Sequence, residues 1–553
     1  MPLLWNEAWS GGQLAVVAAV LVATIFFTSI MLQAPHDPRE PVVIKPPIPV
    51  IGHLLMLVRN RVAYFSTVYE ECKLPIATLP LPNTKLYAIF DASLQQTAMR
   101  VKTMDAQSLT VEFIPRLFGV RKKTLYSLLG RDGTHEDMTP AMLKVFQTTL
   151  SGDPLNNMTG NALVHVAAAL NAIGDDGLYI PNLFMWLRGM MSYAVSAALF
   201  GDKHNPYGKE PELIDAQWYV KTSNNTRSNV ELANSWARDF EAGLGPLVVG
   251  VLPSVIARSA YLARKKVQAV LKPYYTAKLD QDDGVSELVK SRARLFRQWD
   301  MPVDELSKNE ISVMLAATTN TIPTLFWYVV HVWLRPELVE QIRREVSETV
   351  PELRDSSGAI LLTPPDGLKK VTIHFSKLDA NCPLLGASYR EAVRLASQIL
   401  TLRRVMSDTV ITDNNQGGRS YLLKKGNNVM MPAKVVHRNK ETWGDDAEEF
   451  NPLRFLPDPD GNKELDKLRR ISFVPFGGGK HYCPGRHFAF NENLAFMAAL
   501  VLGFEVVGLD RERMRMRDSK MGEAAKPVPG FEGGPVVIKR RSGWEDVEWD
   551  YAK

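Results

Sequence analysis

Hydrophobic and polar positions along most of the chain follow helical spacing. Segments 183–200, 229–243, 255–278 and 309–347 place apolar residues three and four apart, with charged faces between them, as amphipathic helices do. Two stretches follow a period of two instead. From Ala77 to Asp91, ATLPLPNTKLYAIFD alternates and carries turn residues at Pro82-Asn83, which predicts a hairpin. Between Leu402 and Met431, RRVMSDTVITD and RSYLLKKGNNVMMP alternate on either side of the turn NNQGG and predict a second group of short strands. No repeat period is found. The body is therefore mainly α with small β-sheets.

A different pattern stands at the N-terminus. Leu14 to Leu32, LAVVAAVLVATIFFTSIML, is nineteen residues without a charge, close to the roughly 20 that cross a hydrocarbon core. A cleaved leader would carry basic residues before the apolar run and small residues at its end; here only Glu7 is charged before it and Met-Leu-Gln closes it. The run is read as an uncleaved membrane anchor (1–33). Arg39 and Lys45 after it, against no base before it, put the body on the cytosolic side. The acceptor patterns at Asn157 and Asn224 would then stay unglycosylated. Pro46, Pro47 and Pro49 make 34–52 a stiff hinge that cannot continue the helix. No linker of domain-separating length follows, so 53–553 reads as one large domain.

Composition narrows the function. A net charge of +5 is too small and dispersed to argue for nucleic acid, and suits a body lying near an anionic membrane. Cys72, Cys382 and Cys483 are odd in number and far apart, which argues against a disulfide framework and for a reducing compartment. Cys483 stands in FVPFGGGKHYCPGRHFAF, residues 473–490. GGGK is no phosphate loop: that motif has a second glycine where Val474 stands and Ser or Thr where His481 stands. His481, Cys483 and His487 bring zinc-ligand types together, but a structural zinc site wants a fourth ligand and none lies nearby.

The spacing Phe476, Gly479, Cys483, Gly485, or F-x-x-G-x-x-x-C-x-G, suits a loop that presents a thiolate to a haem. Two glycines allow tight turns and close approach to a flat macrocycle, and Phe476 can shield the sulfur. Pro484 suits the opening of the apolar-faced helix from about Arg486 to Gly503. Ahead of that helix, Cys483 would feel positive potential that lowers its pKa.

On these residues the chain resembles the cytochrome P-450 family of haem-thiolate monooxygenases, and the resemblance extends along the body. Glu391 and Arg394 in SYREAVRL and Arg454 in EEFNPLRFLPD match the family's Glu-Arg-Arg cluster. By the same resemblance, His481 and Arg403 match bases that hold the haem propionates. The family's Trp-x-x-x-Arg anchor is missing, since its region reads GTHEDMTPAMLKVFQ, where His135 or Lys144 are the substitutes at hand. LAATTNTIPTLFWYVVHVWLRPE, 315–337, resembles the helix that crosses the haem, with Ala317 over the macrocycle and Asn320-Thr321 in place of the usual acid-threonine pair. Thr321 is the candidate for holding the water that protonates bound oxygen; an asparagine cannot relay a proton as an acid does. The alternative for both residues is a bond within a distorted helix. Pro323 should bend this helix by removing a backbone bond.

N-T-I-P followed by F-W at 320–327, TLSGDPLNNMTGNAL at 149–163 and the absence of a proline pair after Arg394 resemble the sterol 7-alpha-hydroxylase and prostacyclin synthase branch. The resemblance implies haem b, held by Cys483 as axial ligand of the iron. It also implies electrons from NADPH through a separate reductase, with cytochrome b5 as a further candidate donor, since the chain has no dinucleotide or flavin motif of its own. Lys480 and Arg486 could contribute to a docking face. The implied substrate is lipophilic, a sterol, terpenoid or other polycyclic molecule, and the implied location is the endoplasmic reticulum membrane with the haem domain cytosolic. A haem-thiolate isomerase or dehydratase working without oxygen or reductase, and a noncatalytic haem-binding protein, stand as alternatives.

Overall fold

The computed structural model describes residues 36–208 and 244–553 apart from 47, 49, 50, 83, 251, 414–417, 459, 520 and 521, and also describes Val20. The predicted anchor, Val20 excepted, lies outside the described residues, as do helix 229–243, Asn224 and most of the NNQGG turn. The chain divides into two compact units: residues 1–106 with 400–436, and residues 107–399 with 437–553.

The first unit is built on a five-stranded sheet. The predicted hairpin is present as Ile76–Leu81 antiparallel to Thr84–Ile89. Asn428–Pro432 adds in parallel beside Thr84–Ile89, then come Leu400–Val405 and the short Met104–Asp105, both antiparallel. The other predicted strands pair separately, Thr409–Thr412 with Ser420–Leu423. Tyr64, Phe65, Leu79 and Leu86 are among the residues that fill the core beneath the sheet. Part of the stiff proline-rich segment is docked on the sheet. The Thr78 N–H donates to the Val42 carbonyl (2.8 Å), the Ile44 N–H donates to the Thr78 carbonyl (3.0 Å), and the Thr78 hydroxyl donates to Pro41 (2.7 Å). Buried Glu40 closes the attachment, accepting from Lys85 Nζ (2.7 Å) and from the Tyr87 hydroxyl (2.5 Å).

The second unit is helical. Leu183–Phe200 begins at an Asn182 cap whose Oδ1 accepts the Met185 N–H at 3.0 Å. Among the described residues, this helix and the stretch 303–333 are long and apolar enough to cross a membrane, but 72% and 78% of their apolar windows are buried inside the fold, so they are core helices. Apolarity on all sides demands that burial. The stretch 303–333 is two helices, Val303–Thr318 and Thr321–Trp333. The interruption has a covalent cause: Pro323 has no N–H to offer the Thr319 carbonyl four residues earlier, and it stands third in the second helix, where no intrahelical donor is needed. Thr321–Trp333 packs against Pro383–Ala396 and against Arg486–Gly503, and residues from all three fill one large core. Short sheets border it: Phe504–Val507, Val536–Arg540 and Leu178–Ile180 form one, and Glu548–Ala552 runs parallel to Lys370–His374 in another.

Candidate functional site

The Cys483 loop is shaped by backbone geometry. Gly477 and Gly479 have φ of +71° and +63°, a region costly for residues with a Cβ, and they fold the chain back so that the Cys483 N–H donates to the Phe476 carbonyl at 3.0 Å. Gly485 has an ordinary φ of −82°; a Cβ there would stand in open space. Its lack of a side chain therefore leaves room beside the cysteine and serves no turn. The helix Arg486–Gly503 starts at the predicted residue, but its cap is Gly485, so Pro484 precedes the helix and does not open it. Arg486 fastens the turn by donating to the Cys483 carbonyl (2.9 Å) while its guanidinium lies 4.4 Å from the centre of the Tyr482 ring.

Burial pushes the Cys483 thiol up from its ordinary pKa, while backbone N–H bonds from Gly485 and Arg486 and the Arg486 charge pull it down. The expected lowering is present as a set of contacts but is outweighed by desolvation in the chain alone. Those same N–H groups are what would hold a thiolate once a metal removes the proton. Among the described residues no three His, Cys, Asp or Glu side chains gather to bind a metal. The open space at Gly485 fits a flat group beside the cysteine.

The paired helices carry the other residues that the resemblance singled out. In a stretch that is mostly buried, Ala316 and Asn320 are exposed and Ala317 is half-buried, so one face is left uncovered. The threonines separate clearly. Thr318 and Thr324 bond back to the Met314 and Asn320 carbonyls, both at 2.8 Å, whereas buried Thr321 makes no side-chain hydrogen bond among the described residues. The distorted-helix alternative thus describes its neighbours and not Thr321. Asn320 is engaged elsewhere: its Oδ1 accepts the Ala524 N–H at 2.8 Å. The same segment is held by Trp327 Nε1 donating to Ala525 O (2.8 Å) and by the Ala525 N–H donating to Ala396 O (2.7 Å).

Glu391, Arg394 and Arg454 meet as the resemblance implied. Arg394 grips Glu391 with two bonds of 2.7 Å, Arg454 reaches the same carboxylate at 2.8 Å, and all three are buried. Arg454 also donates to the Trp443, Asp446 and Glu449 carbonyls, and Arg394 to those of His437 and Ala447. The cluster therefore ties residues 437–454 to the helix Pro383–Ala396.

Of the propionate candidates, His481 ends a short turn beside the cysteine and is half-buried. Arg403 is buried in the first unit, donating to its neighbour's carbonyl at 2.9 Å, and its propionate role stays an implication of the resemblance. His135 has both ring nitrogens near partners, Thr134 and Ser127 at 3.0 and 3.2 Å and Asp300 at 3.4 Å, which disfavours it as a substitute anchor; Lys144 is exposed. Two further buried residues were not singled out from sequence. Glu492, on the helix after the cysteine, is fully buried with neither oxygen hydrogen-bonded among the described residues. His437 sits between the charged cluster and the Cys483 loop. Glu492 carried no motif, and His437 lay in a run of polar residues that reads as loop.

A family model described as Cytochrome P450 matches residues 43–532. The chain belongs to the cytochrome P450 family. A "Cytochrome P450 monooxygenase" of Gibberella zeae is 31% identical over 547 residues, 97% of this chain and 96% of that one. The "Cytochrome P450 monooxygenase nodJ" of Hypoxylon pulicicidum is 25% identical over 98% of this chain and 97% of its own. A "25-hydroxycholesterol 7-alpha-hydroxylase" of Rattus norvegicus is 26% identical over 50% of this chain and 64% of its own. This P450 is thus a monooxygenase, a class that works with haem bound through a thiolate and with a redox partner, and its helical fold with small sheets agrees with that membership.

Proposed function

We propose that this P450 inserts one oxygen atom into a lipophilic polycyclic substrate, a sterol or terpenoid, with electrons passed from NADPH by a separate reductase. The observation that carries this reading is the Thr321 hydroxyl, which makes no hydrogen bond among the described residues, beside the open face at Ala316, Ala317 and Asn320. The likeness to a 25-hydroxycholesterol 7-alpha-hydroxylase supports the sterol end of the substrate class. Segment 1–33 serves as an anchor in the endoplasmic reticulum, 34–52 as the hinge and 53–553 as the cytosolic haem domain, so that substrate reaches the enzyme from the bilayer.

Bound through Cys483, haem would supply activation of dioxygen, with the thiolate's electron donation favouring O–O cleavage. The Gly485 and Arg486 N–H groups stabilise negative charge on the sulfur, and Phe476, packed against the core, shields it from water. His481 neutralises a propionate. Thr321 orders a proton donor at the oxygen-binding face by offering both a hydroxyl hydrogen and a lone pair. Asn320 carries no exchangeable acid, and its carbonyl oxygen already accepts from Ala524. The proton that passes Thr321 therefore comes from a donor other than this side chain.

The test is turnover by the holoenzyme in membranes with a microsomal reductase, NADPH and a panel of sterols and terpenoids. Products one oxygen heavier, formed only with NADPH and dioxygen, are expected. Reductase-driven electron uptake with no product from any polycyclic lipid, but oxidation of a small polar compound, would overturn the substrate class.

A further inference from the structure

His437 connects two features that sequence motifs treat as separate. Its carbonyl accepts from Arg394 Nη1, so its backbone is held by the Glu391–Arg394–Arg454 cluster. Its Nε2 accepts the Val474 N–H at 3.0 Å. Val474 lies two residues before Phe476, whose carbonyl in turn accepts the Cys483 N–H at 3.0 Å. The imidazole is fully buried and stacks on Phe473 with ring centres 5.9 Å apart and planes at 28°; Phe473 packs edge-on against Phe455 at 4.9 Å.

An N–H donor fixes the state of the acceptor. Nε2 must be unprotonated to receive it, so the ring's hydrogen is on Nδ1. Burial, with the Arg394 and Arg438 charges, holds the imidazole neutral by pushing its pKa well below the ordinary histidine value. The residues around Val474 follow no regular ladder, so a backbone N–H buried there needs this acceptor.

We infer that His437 is a positioning residue for the thiolate loop: its Nε2 pins Val474 and so fixes, through Phe476, where Cys483 stands. The inference rests on Cys483 being the haem ligand. His437 touches neither cofactor nor substrate, and its effect is read in how well the sulfur stays on the iron.

The experiment follows the reduced carbon monoxide complex of the holoenzyme and times the decay of its thiolate-type Soret band to the thiolate-free form in mild denaturant. His437→Phe keeps the ring and its stacking but removes the acceptor; His437→Gln returns an acceptor near the Nε2 position. Decay about tenfold faster in His437→Phe, as expected for loss of one buried hydrogen bond, with His437→Gln within about threefold of wild type, supports the inference. Equal decay in His437→Phe and wild type overturns the inference. If His437→Phe does not fold, amide hydrogen exchange in the wild type decides: strong protection at Val474 supports the pin and free exchange refutes it. A wild type with no thiolate band at all would refute the Cys483 reading instead, which keeps the two failures apart.

Discussion

The Glu391–Arg394–Arg454 cluster and the helix face at 316–321 use polar residues in opposite ways. In the cluster, three buried charged side chains are bonded to one another and to five backbone carbonyls around them, those of His437, Trp443, Asp446, Ala447 and Glu449. On the helix face, the Thr321 hydroxyl has no partner among the described residues, and Asn320, bonded only to the Ala524 N–H among them, is exposed. Saturation fixes a scaffold, because a buried charge without its partner is costly. An unspent hydroxyl is available to a bound molecule. The contrast separates the residues that hold this P450 together from those that can take part in its reaction.

The largest effect should come from breaking the saturated side. Arg454→Leu leaves Glu391 with one partner fewer, strips the Trp443 carbonyl of its side-chain donor and takes one donor each from the Asp446 and Glu449 carbonyls, at a cost of about 3–5 kcal/mol. The outcome expected is loss of haem incorporation and a lower unfolding midpoint, measured by haem-to-protein absorbance ratio and thermal melting. Thr321→Ala attacks the other side: it should leave the fold and the thiolate band intact while product formed per NADPH falls on the order of ten- to hundredfold. Unchanged coupling of NADPH to product would remove Thr321 from the reaction.

Glu492 sharpens the comparison, since it is fully buried yet hydrogen-bonded to nothing among the described residues. Burial pushes its carboxyl well above the usual carboxylate range, so the folded chain keeps a proton that the unfolded chain gives up. The stability this contributes is full below the unfolded value of about pH 4.3 and is lost as pH rises toward the raised folded value. Glu492→Gln should therefore melt a few degrees higher than wild type at about pH 8 and no higher at about pH 4. A gain that is equal at both would refute a raised carboxyl. The smallest effect belongs to Asn320→Ala, which frees the Ala524 N–H for about 1 kcal/mol. It should show as faster amide exchange at 522–525 with little change in melting, and Asn320→Asp, which keeps an acceptor, should restore the protection.

How far the sequence carried each part follows from where its information lies. Helix Leu183–Phe200 and the hairpin at 76–89 were legible because their periods are local and uninterrupted. The turn at Gly479 was legible in the spacing around Cys483, and the charged trio through the family resemblance, since a Glu-x-x-Arg pair alone is ordinary on any helix. The break at Thr319-Asn320 was half-legible: Pro323 announced it, but its place, four residues upstream, follows from which carbonyl loses its donor. The bonds from Asn320 to Ala524 and from His437 to Val474 join residues 204 and 37 apart in the chain, and no local pattern encodes such pairings. The docking of 41–44 on Thr78 was hidden for the same reason, since proline-rich composition signals stiffness and says nothing of what the backbone meets.

The central claim is that the Cys483 sulfur is the ligand of the haem iron, and it is tested most directly by carbon monoxide binding to the dithionite-reduced, haem-loaded wild type beside Cys483→Ser. The account predicts a thiolate-type Soret band in the wild type and its complete loss in the variant at comparable haem content. A thiolate band that survives in Cys483→Ser, or one that never forms in folded, haem-loaded wild type, would contradict it.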